Sequence, residues 1–439
     1  MSLVTLQLGQ CGNQVGTSLF NVVADEINRQ NGVLAEDFQE VFFRPVSDRH
    51  SGQGAQQHAR AVLVDMEQKA VAAALRPARG ASWGYAPCSS LTQQSGSGNN
   101  WARGYCEYGP KHTPDVIDLV RREVEAADYL GGILTLQSAA GGTGSGFGAA
   151  VMEGLRDELP STLFLNHTVW PFDSGEVIVQ SYNTLLTLQH LTASCDAIIL
   201  AENSALHRTC QRMLNIARPS LPDLNGVIAH DLASVLLPAK VRGGRRLSLL
   251  SGLLVALGGH PAYKLASLQS VPQLPASSVD FTSFAWPGLL KRLRQMLITG
   301  AFMEEGLDWS ATPSPHQQHT WQRPHNKALS ALLTLRGSGA STADTHSFTD
   351  PALFPSWQAE PLTVTSTSVP FARCEMSASL LSCNQACAQP AARMQTRATS
   401  MLAARAYVHQ YEAFGLGLSD LQEAVCSATE VVGRYAMLG

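Results

Sequence analysis

The chain has 439 residues, 45% of them hydrophobic and 15% charged, with a formal net charge of −4. That composition excludes a disordered chain, allows two or three cores, and gives no general attraction to nucleic acid or to a membrane surface. No apolar run reaches the roughly 20 residues a bilayer needs, and the N-terminus lacks a signal peptide's basic start and apolar core, so a cytoplasmic protein with neither nucleic-acid nor membrane partner is expected.

Leu3 to Leu8 alternates apolar and polar residues and predicts a half-buried strand. The turn Gly9 to Gly16 leads into a helix carrying Val15, Leu19, Val22, Val23 and Ile27. Residues 44–60 read as an exposed loop. Ala61 to Val64 is a second strand, with Asp65 and Glu67 just past its C-terminal end, where parallel sheets place ligand chemistry. Residues 86–104 read as a long Ser/Gly/Asn loop and Pro114 to Tyr129 as a helix. Gly132 to Gln137 predicts a buried strand and Phe147 to Arg156 a helix. Beyond them come a strand at Ser161 to Leu165, a turn at Pro171 to Glu176, a helix at Ser181 to Leu191 and a strand at Ala197 to Ala201. Such βα alternation predicts a doubly wound, largely parallel sheet.

Between the strand and the helix at the centre of that series stands Ala140-Gly141-Gly142-Thr143-Gly144-Ser145-Gly146. A glycine-rich turn from a strand into a helix N-terminus presents backbone N–H groups to an anion, and residues without a bulky Cβ let the backbone approach closely. Thr143 and Ser145 add hydroxyls. No Lys follows, so this is not a P-loop, and the glycine spacing is not the dinucleotide fingerprint. A flexible linker is the competing reading, disfavoured by the apolar strand and helix on either side.

The loop resembles the signature Gly-Gly-Gly-Thr-Gly-Ser-Gly of the tubulin family. Four further stretches are similar to that family, in the right order: Leu8-Gly9-Gln10-Cys11-Gly12-Asn13-Gln14-Val15-Gly16, Val64-Asp65-Met66-Glu67, Gly96-Ser97-Gly98-Asn99-Asn100-Trp101-Ala102 and Arg405-Ala406-Tyr407-Val408-His409-Gln410-Tyr411. The resemblance implies GTP or GDP held with Mg²⁺. Gly141, Gly142, Thr143, Gly144 and Ser145, with Ser138 before them, would cradle the phosphates. Gln10 and Cys11 would supply a second loop, and Gly98 and Asn99 would close over the γ-phosphate. Asp65 and Glu67 would hold Mg²⁺ through waters, as hard carboxylate oxygens suit that ion. Gln14, Asn203 and Asn225 match the positions tubulins use for guanine, and Glu176 matches a ribose-binding acid. Read from spacing alone, each Asn is a cap or turn residue. Three positions depart from the family: Ala140 replaces the first glycine, and Gln180 and Leu221 replace a Glu and a Tyr around the nucleoside. Loss of the aromatic stack weakens base binding by about 1 kcal/mol.

The implied fold is an N-terminal α/β nucleotide-binding sheet, a linking core helix, a smaller α+β intermediate domain and C-terminal helices. We expect a GTP-binding domain over 1–203, an intermediate domain over 204–370 with its linking helix at about 223–237, and a C-terminal helical region over 371–439 without an acidic tail. Ser283 to Trp286 and Ala331 to Arg336 read as strands, Gly306 to Lys327 as an exposed excursion, residues 391–411 as helical and Ser419 to Tyr435 as the last helix. Nine cysteines read as reduced thiols, and Cys383 with Cys387 as buried rather than metal-binding.

In tubulins a neighbouring subunit completes hydrolysis with an acid on an inserted loop. The matching stretch here, Lys240 to Lys264, carries Lys240, Arg242, Arg245, Arg246 and Lys264, and no acid occurs between Asp231 and Asp280. A basic loop cannot act as general base toward water. The expectation is therefore a β-type subunit that binds GTP, is at most a slow GTPase completed in trans, and partners other tubulins (alpha, beta or epsilon) and centriolar proteins. The opening, the divergent middle and the missing tail resemble a specialised branch of the family tied to centrioles, basal bodies and triplet microtubules. A non-polymerising, GTP-regulated binding protein with the same fold is the alternative.

Overall fold

The computed structural model describes residues 2–30, 33–45, 57–76, 82–175, 177–242, 249–257, 259–313 and 325–438. The chain divides into two compact units, Met1–Ile198 with Pro390–Glu430, and Ile199–Gln389 with Val431–Gly439.

The first unit is built on five parallel strands in the order Phe164–Trp170, Leu130–Ser138, Ser2–Leu8, Ala61–Asp65 and Ser90–Thr92. Thr5 lies beside Leu134 on one side and Ala61 on the other, so the N-terminal strand is central. Its alternation was expected to leave one face wet, yet every residue from Ser2 to Leu8 is buried. The polar ones are satisfied inside: Gln7 Nε2 donates to the Tyr85 hydroxyl at 3.0 Å. A similar polar run explains a misplaced strand. The expected Ser161–Leu165 strand instead spans Phe164–Trp170, because Asn166 and Thr168 bond within the sheet rather than ending it. Asn166 Nδ2 donates to Thr135 Oγ1 at 2.7 Å and Gln137 Oε1 at 3.1 Å.

Four long helices follow the strands, Gly9–Arg29, Gly109–Glu125, Gly148–Glu158 and Gln180–Ser194. The expected 86–104 loop contains the short edge strand Ser90–Thr92 and turns helical at Trp101. Most of the expected 44–60 loop lies outside the described residues.

The second unit opens with the helix Asn203–Arg212 and the linking helix Leu221–Leu236, the latter started by a Ser220–Asp223 capping box. Its sheet runs in the order Lys240–Val241, Leu362–Thr367, Ala328–Gly337, Met376–Asn384 and Leu265–Val271. The pairs are antiparallel except the parallel pair of Ala328–Gly337 with Leu362–Thr367. Buried Arg336 fixes the linking helix by donating to the carbonyls of Ser234 (2.8 Å) and Leu237, orphan acceptors at a helix C-terminus.

Met376–Asn384 lies in sequence expected to be helical. It is a central strand with both faces covered, so its mixed Ser/Leu pattern carries no amphipathic period. Ser283 to Trp286 is not a strand, since Trp286 begins the helix Trp286–Thr299 with Pro287 in its first turn. Of the Gly306–Lys327 excursion, residues 314–324 lie outside the described ones. The part before them is pinned, with Gln295 Nε2 donating to the carbonyls of Asp308 (2.5 Å) and Ala311 (2.9 Å).

Candidate functional site

The strand Leu130–Ser138 ends in the glycine-rich loop, which winds through a single π turn, Thr143–Phe147, into the helix Gly148–Glu158. The N–H groups of Gly146 and Phe147 both donate to the Gly142 carbonyl, at 2.9 and 3.1 Å. Neither this helical turn nor the helix at Gly9 has a side-chain cap or an acid in its first turn. Two helix N-termini therefore keep their positive dipole ends and leading N–H groups available to an anion. They meet at glycines. Gly9 has φ +71°, and a Cβ there would sit 2.8 Å from the Gly144 nitrogen.

A third loop packs on the cradle. A Cβ on Gly142 would lie 2.2 Å from Ser97 Oγ, and one on Gly146 would lie 2.1 Å from the Trp101 carbonyl oxygen. The Ser97 and Thr143 hydroxyls are 3.1 Å apart, and Ser145 Oγ donates to the Gly141 carbonyl. Gly98 and Asn99 both take left-handed backbone, at φ +60° and +56°. Around Gly98 there is open space, and Gly141 has only Asn99 Oδ1 near, at 4.0 Å. The open rim of the cradle is thus Gly141, Gly98 and Asn99.

Asp65 ends the strand beside Ser2–Leu8 and is 4% exposed, whereas Glu67 is exposed. Burial, with the nearby Glu67 charge adding to it, pushes the Asp65 carboxyl up to about 6, against the Glu67 backbone N–H that donates to it at 3.3 Å. Glu67 turns its carboxylate toward the third loop, since a Cβ on Gly96 would meet Glu67 Oε1 at 2.2 Å. Two carboxylates beside the phosphate loops, one of them short of solvent, suit a hydrated Mg²⁺, which would return Asp65 to its charged form.

The first unit thus gathers the start of the first helix, Asp65, Glu67, Gly98, Asn99 and the 141–145 cradle. Gln10 is exposed, and Cys11 and Gln14 are half-buried on the first turns of the first helix. Desolvation pushes the Cys11 thiol up to about 12, so it stays neutral. Ser138 Oγ accepts from the Ala140 N–H at 3.3 Å, inside the turn. Asn203 opens its helix, and Asn225 is buried on the linking helix; both belong to the second unit. Glu176 lies outside the described residues. Gln180 folds under the preceding turn, donating to the Phe172 carbonyl at 2.9 Å, and Leu221 is 52% exposed.

Two findings were not legible in the sequence. Asn183, fully buried on the helix Gln180–Ser194, donates to the carbonyls of Asn99 (2.8 Å) and Ala140 (2.7 Å), so it ties the third loop to the cradle. A lone Asn inside a helix carries no such signal. Arg242, expected among the free cations of the basic stretch, is committed within its own unit. It donates to Thr345 Oγ1 (2.9 Å) and to the carbonyls of Ala340 (3.1 Å) and Ala343 (2.6 Å). Arg245 and Arg246 lie outside the described residues.

Three strand-to-helix turns abut through glycines and leave an open rim at Gly98, Asn99 and Gly141, an arrangement that suits an anion, and residues 2–211 match the Tubulin/FtsZ family, GTPase domain. The chain belongs to the tubulin family, and guanine nucleotide binding comes with that domain. Within the family it groups with the delta-tubulins. It is 39% identical to the tubulin delta chains of Mus musculus, over 458 aligned residues, and Homo sapiens, over 453, with both chains covered completely. To the tubulin beta-1 chain of Chondrus crispus it is 25% identical, with all of this chain and 94% of the relative covered.

Proposed function

We propose that this chain is a GTP-binding tubulin subunit of the centriole and basal body, where it steadies triplet microtubules. Its nucleotide would lie at the longitudinal joint between subunits. In this reading the 141–145 cradle, Ser138, Gln10, Cys11, Gly98 and Asn99 hold the phosphates, and Asp65 and Glu67 hold Mg²⁺ through water. Gln14, Asn203 and Asn225 read guanine, and Glu176 the ribose. The 1–203, 204–370 and 371–439 parts act as nucleotide, intermediate and outer regions. The observation that carries the reading is the convergence of three loops at Gly9, Gly142, Gly144 and Gly146, positions where a Cβ would meet another loop at 3.1 Å or less.

Magnesium supplies charge neutralisation to the phosphates when bound, while the protein's own groups orient them. Thr143 is held by Ser97, and backbone N–H groups face the developing negative charge. Hydrolysis is expected to be slow, because the stretch Lys240 to Lys264 offers a neighbour no acid. Partners are alpha-, beta- or epsilon-tubulin and centriolar proteins, in the cytoplasm and cytoskeleton. Sedimentation with GTP, alone and with αβ-tubulin, tests this. GTP-dependent co-sedimentation supports it; a chain that binds GTP yet never associates with any tubulin is a GTP-regulated binding protein instead.

A further inference from the structure

We infer that Asn183 is a positioning residue of the nucleotide site, and that through it occupancy of the cradle is linked to the turn Arg405–Tyr407 and the short helix His409–Glu412. The inference rests on the nucleotide reading above and extends it to a C-terminal segment of the same unit.

Asn183 is 0% exposed and uses its whole hydrogen-bonding capacity in four bonds to three separate stretches of chain. Its Nδ2 donates to the Asn99 and Ala140 carbonyls, while its Oδ1 accepts from the Trp101 N–H at 3.2 Å and from the Tyr411 hydroxyl at 2.5 Å. An amide satisfied on both ends cannot rotate without stranding a buried partner. A displacement of Asn99 or Ala140 therefore reaches Tyr411 directly.

Two further bridges run the same way. Asn100 Nδ2 donates to the Gln410 carbonyl at 2.8 Å, and the Tyr182 hydroxyl donates to the Ala406 carbonyl at 3.2 Å. The rings of Tyr182 and Tyr411 meet edge to face, 5.6 Å apart.

Both ends of this network are in unusual backbone. At the near end Asn99 has φ +56°, at the cradle's open rim. At the far end Arg405 and Tyr407 have φ +50° and +61°. The far turn is shaped by local backbone bonds, Arg405 N–H to the Leu402 carbonyl and Ala406 N–H to the Met401 carbonyl, both at 2.9 Å, and the bridges from Tyr182, Asn100 and Asn183 fasten the same segment at Ala406, Gln410 and Tyr411. An anion that contacts Gly141 or Asn99 shifts the acceptors of Asn183 and so biases the far turn. By reciprocity, a change at the far turn alters affinity at the cradle by the same factor.

The test uses the full chain and hydrogen exchange with and without GTP, with a fluorescent guanine nucleotide for affinity. In the wild type, GTP is expected to slow exchange both in the loops (97–101 and 141–146) and in the far segment (405–412). Tyr411→Phe removes one hydroxyl and keeps the ring pair. It is expected to bind the nucleotide roughly five- to tenfold more weakly, and to lose the response at 405–412 while keeping that at 97–101. A variant that merely loosened the fold would not separate the two segments. Should Tyr411→Phe not fold, Tyr182→Phe gives the same separation. The inference is overturned if GTP protects 97–101 and leaves 405–412 unchanged, or if Tyr411→Phe keeps wild-type affinity and response. Absence of protection at 97–101 and 141–146 in the wild type overturns the nucleotide reading itself, and the linkage with it.

Discussion

Gly146→Ala sets two opposed effects against each other at the junction of the cradle and the third loop. Gly146 lies in the helical turn Thr143–Phe147 without a positive φ, so alanine fits the backbone and its helix propensity adds about 1 kcal/mol. Its Cβ, however, would lie 2.1 Å from the Trp101 carbonyl oxygen, 2.8 Å from the carbonyl carbon and 2.9 Å from the Cα. Reaching ordinary contact at 3.4 Å means a retreat of 3.4 − 2.1 = 1.3 Å by backbone, not by a flexible side chain. Trp101 has little room to retreat. It is fully buried, its indole N–H donates to Thr187 Oγ1 at 3.1 Å and its backbone N–H to Asn183. Overpacking of this kind costs about 1–3 kcal/mol, so against a propensity gain of about 1 kcal/mol the net loss is about 0–2 kcal/mol. Because the third loop is what moves, the variant should also release guanine nucleotide. Urea unfolding and the nucleotide content per mole of protein measure the two effects. Gly433→Ala, where an added Cβ meets nothing within 4 Å, is the control and should gain about 0.5–1 kcal/mol. A Gly146→Ala protein with an unchanged midpoint and full nucleotide content would refute the packing argument.

Three other outcomes are expected. Burial pushes Asp231 up to about 7, even with Ser270 Oγ donating to it at 2.5 Å. A folded-state value above the unfolded one means this group's stabilisation is fully present below pH 3.8 and is lost as pH rises through about 7. Asp231→Asn should therefore gain on the wild type across that window, by up to about 4 kcal/mol at pH 8, and a wild-type-to-variant difference in urea midpoint that is the same at pH 4 and pH 8 would show the carboxyl to be solvated. Arg242→Ala should cost about 1.5–3 kcal/mol in urea unfolding, since it strands the Ala340 and Ala343 carbonyls; an unchanged midpoint would place the guanidinium elsewhere. The purified chain should hydrolyse GTP slowly, with a rate per molecule that does not rise with protein concentration. A clear rise would mean that an acid outside Lys240–Lys264 completes the site.

The parts of the site legible in the sequence are those where close approach forbids a Cβ. Gly9, Gly142, Gly144 and Gly146 are glycines because another loop lies where a side chain would go, and that requirement is written in the residue type. The alternating strand–helix order was equally readable, because buried parallel strands and amphipathic helices have different periods. What stayed hidden depended on partners far along the chain. Asn183 looks like any helical Asn until residues 99, 140 and 411 are placed around it. Arg242 reads as a free cation until the Ala340–Thr345 loop folds over it. The strand Met376–Asn384 has no period because both of its faces are covered, and Asn166 looks like a strand breaker until the neighbouring strand supplies Thr135 and Gln137.

The nucleotide itself gives the most direct test. Protein purified without added nucleotide, denatured and resolved by ion exchange, should release GTP or GDP and no adenine nucleotide, with release lost in Thr143 or Gly144 variants carrying bulky side chains. Protein that releases no nucleotide, or releases ATP or ADP, would contradict the reading of the 141–146 loop as a guanine nucleotide cradle.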